Sequence, residues 1–175
     1  LKATIGMETH VELDTKSKMF CSCEVVETDE PNISVCPTCL GLPGALPVPN
    51  KTAIEYIVML SLGANCKITN EGMFHRKNYF YPDLPKNYQI SQFDFPVGVN
   101  GSLEIVLDEE LHSVEIERVH MEEDTGKSVH IGSGRIDSAT STLLDFNRSG
   151  IPLVEVVTKP VISTSKMAVA YIEEL

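Results

Sequence analysis

Residues 102–121 read SLEIVLDEELHSVEIERVHM, and this stretch decides the fold. Apolar and polar residues alternate over residues 102–107 and again over residues 113–121, which is the pattern of half-buried β-strands. The acidic run from Asp108 to Glu110 between them predicts a turn, so we expect an antiparallel pair. The alternation changes phase between Ile116 and Val119, which predicts a β-bulge that redirects the residues following it.

The segments on either side predict three more strands and two helices. The strands cover residues 4–13, 142–146 and 153–157, and the helices cover residues 50–62 and 163–175. Asn50 is the expected N-cap of the first helix, and one face of the helix is defined by Ile54, Ile57, Val58 and Ser61. Because no regular βαβ repeat is present, we predict an α+β fold with a mostly antiparallel sheet.

Two longer segments lack a strong periodic pattern. Residues 75–92 combine aromatic residues, prolines and basic residues, and we expect a long ordered loop with short strands. Residues 131–142 are rich in Gly and Ser, so we expect a flexible connection there.

The composition limits the classes of protein that the chain can represent. With 175 residues and 42% hydrophobic content, it can bury one sizeable core, and it has no apolar run long enough for a membrane helix. We therefore expect a soluble cytoplasmic protein. The net charge of -11 opposes broad contact with a nucleic acid, so any such contact should be small. A first residue of Leu1 and a helix still running at Leu175 predict a fragment of a longer chain.

Four of the five cysteines form two close pairs. The pairs are C-x-C at Cys21 and Cys23, and C-P-T-C at Cys36 and Cys39. Two short-spaced thiol pairs separated by a loop can close a tetrahedral Cys₄ site, so we predict a structural zinc knuckle within residues 20–49. The alternative is four reduced thiols without a metal. Cys66 stands alone and is expected to be a small buried residue.

Acidic residues and a histidine form a second candidate site. Glu8 and His10 lie on one face of the strand at residues 4–13, and burying them is costly unless they bind something. Glu122 and Glu123 follow the strand at residues 113–121, and the two groups converge if their strands are neighbours. Such a set suits magnesium carrying a nucleotide. The alternative is a solvated acidic edge.

Five long motifs resemble the B subunit of the tRNA-dependent amidotransferases. They are GMETHVELDTKSKMFCSC (residues 6–23), CPTCLGLPGALPV (36–48), RKNYFYPDLPKNYQISQ (76–92), HMEEDTGKS (120–128) and DFNRSGIPLVEVV (145–157). They occur in the order of that family and span nearly the whole chain. The resemblance implies that residues 1–175 are an N-terminal catalytic domain, incomplete at its C-terminus, with a cradle fold related to glutamine synthetase.

The resemblance also implies an activity and partners. The family uses ATP to phosphorylate the carboxylate of Glu-tRNA(Gln) or Asp-tRNA(Asn), and ammonia from a glutaminase A subunit, assembled with a small C subunit, displaces the phosphate. Matched by motif, the magnesium ligands are Glu8, His10 and Glu123, with Glu122 beside them. The basic side chains expected to hold phosphate are Arg76, Lys77, Lys86, Lys127 and Arg148. Tyr79, Tyr81 and Tyr88 are expected either to stack on a base or to pack a loop.

Two other hypotheses remain open. One is an interaction module built on the zinc knuckle, without catalysis of its own. The other is the archaeal type, specific for Glu-tRNA(Gln), although the cysteine block looks more like the bacterial and organellar type. These types place the protein in the bacterial cytoplasm or in an organelle.

Overall fold

The computed structural model describes residues 3–132 and 139–175, which form nine strands and two helices. The strands are β1 Glu8–Glu12, β2 Lys67–Ile68, β3 His75–Asn78, β4 Tyr88–Ser91, β5 Gly98–Leu107, β6 Glu110–Glu123, β7 Lys127–Gly132, β8 Ala139–Asp145 and β9 Pro152–Thr158. The helices are α1 Lys51–Gly63 and α2 Ser165–Glu174.

Five of these strands form the main sheet, in the order β1-β9-β6-β5-β2. Every neighbouring pair in this sheet is antiparallel, and β3–β4 and β7–β8 form two separate antiparallel hairpins. The predicted α+β class with a mostly antiparallel sheet is confirmed. The strand order also places β9 between β1 and β6, so these two strands are not neighbours.

The β5–β6 hairpin has the turn and the irregularity that the sequence predicts. Asp108 and Glu109 form the turn with φ angles of 51° and 67°, in the left-handed region that two-residue hairpin turns require. The register of β6 on β9 shifts between Ile116 and Arg118, which confirms the bulge. Because of this extra residue, Val114 and Ile116 before the bulge and Val119 after it are all buried.

The two helices cover the apolar side of the sheet. Asn50 caps α1, since its Oδ1 accepts hydrogen bonds from the backbone N–H of Thr52 at 3.0 Å and of Ala53 at 3.3 Å. The buried face of α1 is Ala53, Ile57 and Ser61. Of the predicted face, Ile57 and Ser61 are buried, whereas Ile54 is 40% exposed. The second helix buries Met167 and Tyr171.

The prediction for residues 131–142 is wrong where the structure describes that segment. Ile131 and Gly132 end β7, and residues 139–142 begin β8, so the strand expected at residues 142–146 starts earlier. Residues 133–138 lie outside the described part of the chain. Residues 75–92 do form an ordered loop between two short strands, as expected. No helix among the described residues is long and apolar enough to cross a membrane.

Candidate functional site

The central position of β9 creates a row of polar side chains across three strands. In the register of the sheet, His10 on β1 pairs with Glu155 on β9, and Glu155 pairs with His120 on β6. Directly paired residues project from the same face of a sheet, so these three side chains lie side by side. Glu8 and Glu122 belong to the same face, because each is two residues from a member of the row.

Three of these side chains are close enough to share one cation. The ligand atoms of His10, Glu122 and Glu155 all lie within 4.8 Å of one another. His10 Nε2 is 3.5 Å from Glu155 Oε2, and His120 Nε2 is 3.5 Å from Glu122 Oε1 and 3.6 Å from Glu155 Oε2. We call His10, Glu122 and Glu155 the cation site. Two carboxylates and an imidazole, with the rest of the shell left to water and phosphate, fit magnesium.

The surroundings of Glu122 keep its carboxylate ionised. Burial disfavours the charged form, but the His120 imidazole and the positive charge of Lys77 outweigh it, so the pKa of Glu122 lies below its usual 4.5. Lys77 Nζ is 3.8 Å from Glu122 Oε1, and Gln89 Nε2 donates to Glu122 Oε2 at 3.2 Å. A buried carboxylate that stays charged is the form that a cation would bind.

Glu123 is not brought together with Glu8 and His10, which differs from the predicted ligand set. Successive residues of a strand project from opposite faces, so Glu123 points away from the side that carries Glu122. Its Oε1 forms an ion pair with Lys86 and accepts a hydrogen bond from Ile90 N at 3.1 Å. Glu155 therefore takes the place in the cluster that was predicted for Glu123.

A cavity of about 370 Å³ opens beside the cation site. Its wall includes Glu8, Glu122 and Glu155, together with three cationic side chains: Arg76, Lys77 and Arg118. The histidine His75 also lines it, with Nδ1 3.0 Å from Asp94 Oδ2. This combination of acidic and basic side chains is suited to a metal-bound phosphate group.

The other three predicted phosphate ligands lie elsewhere. Lys86 is buried in its pair with Glu123. Lys127 begins β7 and lines a different cleft. Arg148 donates from Nε to Thr125 O at 3.0 Å and from Nη2 to Gly126 O at 2.9 Å, so its guanidinium fixes a loop.

The tyrosines also lie outside the wall of this cavity. Tyr81 is 50% exposed, and burial raises the pKa of Tyr79. Tyr88 lies beneath the Arg76 guanidinium, which is 4.8 Å from the centre of its ring.

The four paired cysteines come together on the opposite side of β6. Their sulfur atoms lie within 4.8 Å of one another, and Cys36 Sγ is 3.8 Å from Cys39 Sγ. Zinc–sulfur bonds of about 2.3 Å in a tetrahedron place sulfurs about 3.8 Å apart, so this spacing fits a Cys₄ zinc site. Cys66 is separate from the cluster and is buried in the core.

Lys18 supplies a buried positive charge next to the cysteines. Its side chain has no exposed surface, and Nζ lies 3.9 Å from Cys39 Sγ. The pKa of Cys39 falls to about 4, because a side-chain hydrogen bond with Cys21 favours the thiolate against the effect of burial, and the Cys36 N–H and Lys18 add to this preference. The same hydrogen bond raises the pKa of Cys21, so of this pair only Cys39 is held as the thiolate, the form of cysteine that binds metal.

Two residues of the site were not predicted from the sequence, although each had a signal. Glu155 is a lone acid in the apolar stretch PLVEVVT, and a carboxylate in such a strand is costly to bury unless it binds something. Arg118 lies at the bulge, where it reaches the cavity and places its guanidinium 4.1 Å from the centre of the Phe93 ring. The sequence predicts the bulge, but it does not fix the face of each residue that follows it.

Comparison with known proteins agrees with the resemblance. The curated relatives include proteins named as the B subunit of aspartyl/glutamyl-tRNA(Asn/Gln) amidotransferase from Frankia casuarinae, Nocardia farcinica and Mycobacterium tuberculosis. They are 57%, 57% and 55% identical to this chain over 173, 167 and 167 residues, which cover 98%, 94% and 94% of it. These alignments cover 34%, 33% and 33% of the relatives, so the chain spans about a third of their length. A family profile described as the GatB/GatE catalytic domain matches residues 3–175, and the chain belongs to this family.

Proposed function

We propose that this chain is the catalytic part of an ATP-dependent tRNA amidotransferase and that it activates a carboxylate by phosphorylation. The observation that carries the proposal is the convergence of His10, Glu122 and Glu155 within 4.8 Å, beside a cavity with three cationic side chains. The shared name of the relatives supports the substrate class, an aspartyl or glutamyl group on tRNA(Asn) or tRNA(Gln). Because the relatives named above are bacterial, we place the reaction in the cytoplasm.

The proposed reaction has two steps. The side-chain carboxylate of the tRNA-bound amino acid attacks the γ-phosphorus of ATP, and ADP leaves. The nitrogen of ammonia then attacks the acyl carbon of the acyl phosphate, inorganic phosphate leaves, and a proton is lost to give the amide.

The residues of the site have separate roles in this proposal. His10, Glu122 and Glu155 would hold magnesium, which when bound neutralises charge on the phosphate groups. Arg76, Lys77 and Arg118 would hold the phosphate oxygens that the metal leaves free. Glu8 lies in the cavity wall, where it can accept a hydrogen bond from a metal-bound water.

Further subunits and zinc complete the proposal. Ammonia would come from a glutaminase A subunit assembled with a small C subunit, and only the acceptor end of the tRNA would touch this acidic chain. The four cysteines would hold zinc as a structural ion, because four thiolates leave no open coordination position for chemistry.

The test compares carboxylate variants in the complete amidotransferase. Glu122→Gln and Glu155→Gln should each reduce ATP-dependent amidation about 100-fold or more, while glutamine hydrolysis by the partner subunit continues in part. Glu104→Gln is the control, because Glu104 is exposed on β5 and should have no effect. The readouts are amidated tRNA and released glutamate. Normal amidation by both site variants would refute the cation site.

The same experiment separates this proposal from an interaction module without catalysis. In such a module, Glu122→Gln and Glu155→Gln leave function intact, whereas Cys36→Ser abolishes binding to the partner subunits. A pull-down of the partner subunits with each variant gives the second readout.

A further inference from the structure

Lys86 and Glu123 form a buried ion pair on the side of β6 opposite the cation site. The side chain of Lys86 is 6% exposed and that of Glu123 is 3% exposed. Both residues line a cavity of about 170 Å³, which Cys21 and Cys39 of the cysteine cluster also line. The ion pair and the cysteine cluster are therefore neighbours.

A tight turn of the backbone follows the second cysteine pair and reaches Lys86. Within it, Leu40 N donates to Cys36 O at 3.0 Å and Gly41 N donates to Thr38 O at 3.1 Å. These bonds tie the position of Gly41 to the Cys36–Cys39 segment. Gly41 has φ of +67°, in the left-handed region that favours glycine.

The contact between this turn and Lys86 has no room for a side chain at Gly41. A Cβ atom built on Gly41 would lie 2.6 Å from Lys86 Cγ and 2.9 Å from Lys86 Cα. The Gly41 backbone thus lies directly on the Lys86 stem. The ammonium is also near two rings, 6.0 Å from the centre of Phe20 and 5.4 Å from that of Tyr88.

We infer that Gly41 is a positioning residue through which the cysteine cluster holds Lys86 against Glu123. In this arrangement the cluster does more than stabilise its own loop, because an ordered Cys36–Cys39 turn closes the cavity over the ion pair. Opening of the cluster would release Lys86 to solvent.

The ion pair is also connected to the cation site. Gln89 Nε2 donates to the backbone oxygen of Glu123 at 2.6 Å and to Glu122 Oε2 at 3.2 Å. One amide group therefore bridges the backbone of Glu123 and the carboxylate of Glu122.

The experiment measures the reactivity of individual lysines in the complete protein and its assembly. Acetic anhydride at low dose acylates accessible amines, and mass spectrometry gives the rate at each lysine. Gly41→Ala should raise the acylation rate of Lys86 about tenfold, because the new methyl group displaces the side chain from its buried site. The rate at Lys77, whose side chain is 58% exposed, is the internal reference and should not change.

Gly44→Ala is the matched control. Gly44 also has a positive φ, +86°, but nothing lies within 4 Å of a Cβ built on it. Both variants thus add backbone strain to the same loop, and only one adds a collision with Lys86. Equal acylation of Lys86 in the two folded variants would refute the inference.

A second arm does not depend on Gly41. Cys39→Ser weakens the cluster whether or not a metal is bound, and it should also raise the rate at Lys86 relative to Lys77. An unchanged Lys86 rate in this variant, with altered reactivity of the remaining cysteines, would likewise refute the inference.

Discussion

Lys18 is a charged residue in the interior, where burial of a charge is unfavourable unless polar groups compensate for it. Its side chain has no exposed surface, yet Nζ donates to Ser34 O at 2.7 Å and to Phe146 O at 3.1 Å and lies near Cys39 Sγ. A buried ammonium is tolerated when carbonyl oxygens and negative charge surround it. Lys18 thereby joins the cysteine loop to the segment before β9.

Replacing Lys18 should destabilise the protein strongly. Lys18→Met keeps the volume of the side chain but leaves two carbonyl oxygens without their donor, so we expect the free energy of unfolding to fall by about 3 kcal/mol. Urea denaturation measures the change. Lys16→Met is the control, because Lys16 is exposed two residues earlier, and it should change stability by less than about 0.5 kcal/mol.

Glu123 gives a second prediction at this scale. Glu123→Leu leaves the Lys86 ammonium buried without its partner, so we expect a loss of about 3 kcal/mol in the free energy of unfolding. Affinity for magnesium should be changed far less than by Glu122→Gln, because Glu123 faces the other side of the sheet. Urea denaturation and magnesium titration provide the two readouts, and a larger loss of magnesium affinity in Glu123→Leu than in Glu122→Gln would contradict the assignment.

The sequence does not determine whether Glu122 or Glu123 lies on the same face as His10. The motif HMEED gives two adjacent glutamates, and only the parity of the strand decides which one faces His10. That parity depends on the number of residues in the bulge at Ile116–Arg118, which a single sequence does not give. Glu8 and His10 were predictable, because five residues of regular alternation fix their face.

At the scale of elements, the β5–β6 hairpin was the most predictable part of the fold. Alternation, an acidic turn and a phase change are all local signals, and the structure contains all three features. The β7–β8 hairpin is not predicted from the sequence, because its Gly and Ser residues are also typical of a linker. Its pairing, from Lys127↔Asp145 to Ile131↔Ser141, joins partners up to eighteen positions apart, about the limit of a local signal.

Substitutions in the turn of the β5–β6 hairpin should increase the stability of the protein. Asp108 and Glu109 both have positive φ, a conformation that is unfavourable for Glu in particular. Asp108→Asn combined with Glu109→Gly introduces the preferred residues of a type I′ turn, so the free energy of unfolding should rise by about 0.5–1 kcal/mol. Thermal unfolding tests this expectation. Placing Asn-Gly at the exposed Ser165 and Lys166 of α2 is the contrasting control, because glycine weakens a helix.

At the scale of the whole molecule, the order of the main sheet could not be read from the sequence. Local patterns predict that strands exist, but the insertion of β9 between β1 and β6 depends on contacts between residues more than 140 positions apart. The cation site is therefore a product of the global topology. Glu155 belongs to the site only because β9 pairs with both β1 and β6.

Metal removal tests the division of the molecule into a sheet and a cysteine loop. The protein as purified should contain about one equivalent of zinc, and a chelator should remove it. Because the loop at residues 20–49 has little regular secondary structure, we expect protease cleavage to begin there after chelation while the strands of the main sheet persist. Limited proteolysis with mass spectrometry, compared with and without added zinc, gives the result. An identical cleavage pattern in both conditions would contradict a structural zinc.

The pairing of the first strand with the last has a consequence for biosynthesis. When the ribosome has made residues 8–12, the chain has no partner strand for them until residues 152–158 have emerged, a delay on the order of ten seconds at typical elongation rates. During that interval the nascent chain cannot bind a divalent ion through His10 and Glu155. Residues 152–158 must therefore be synthesised before His10 and Glu155 can lie side by side.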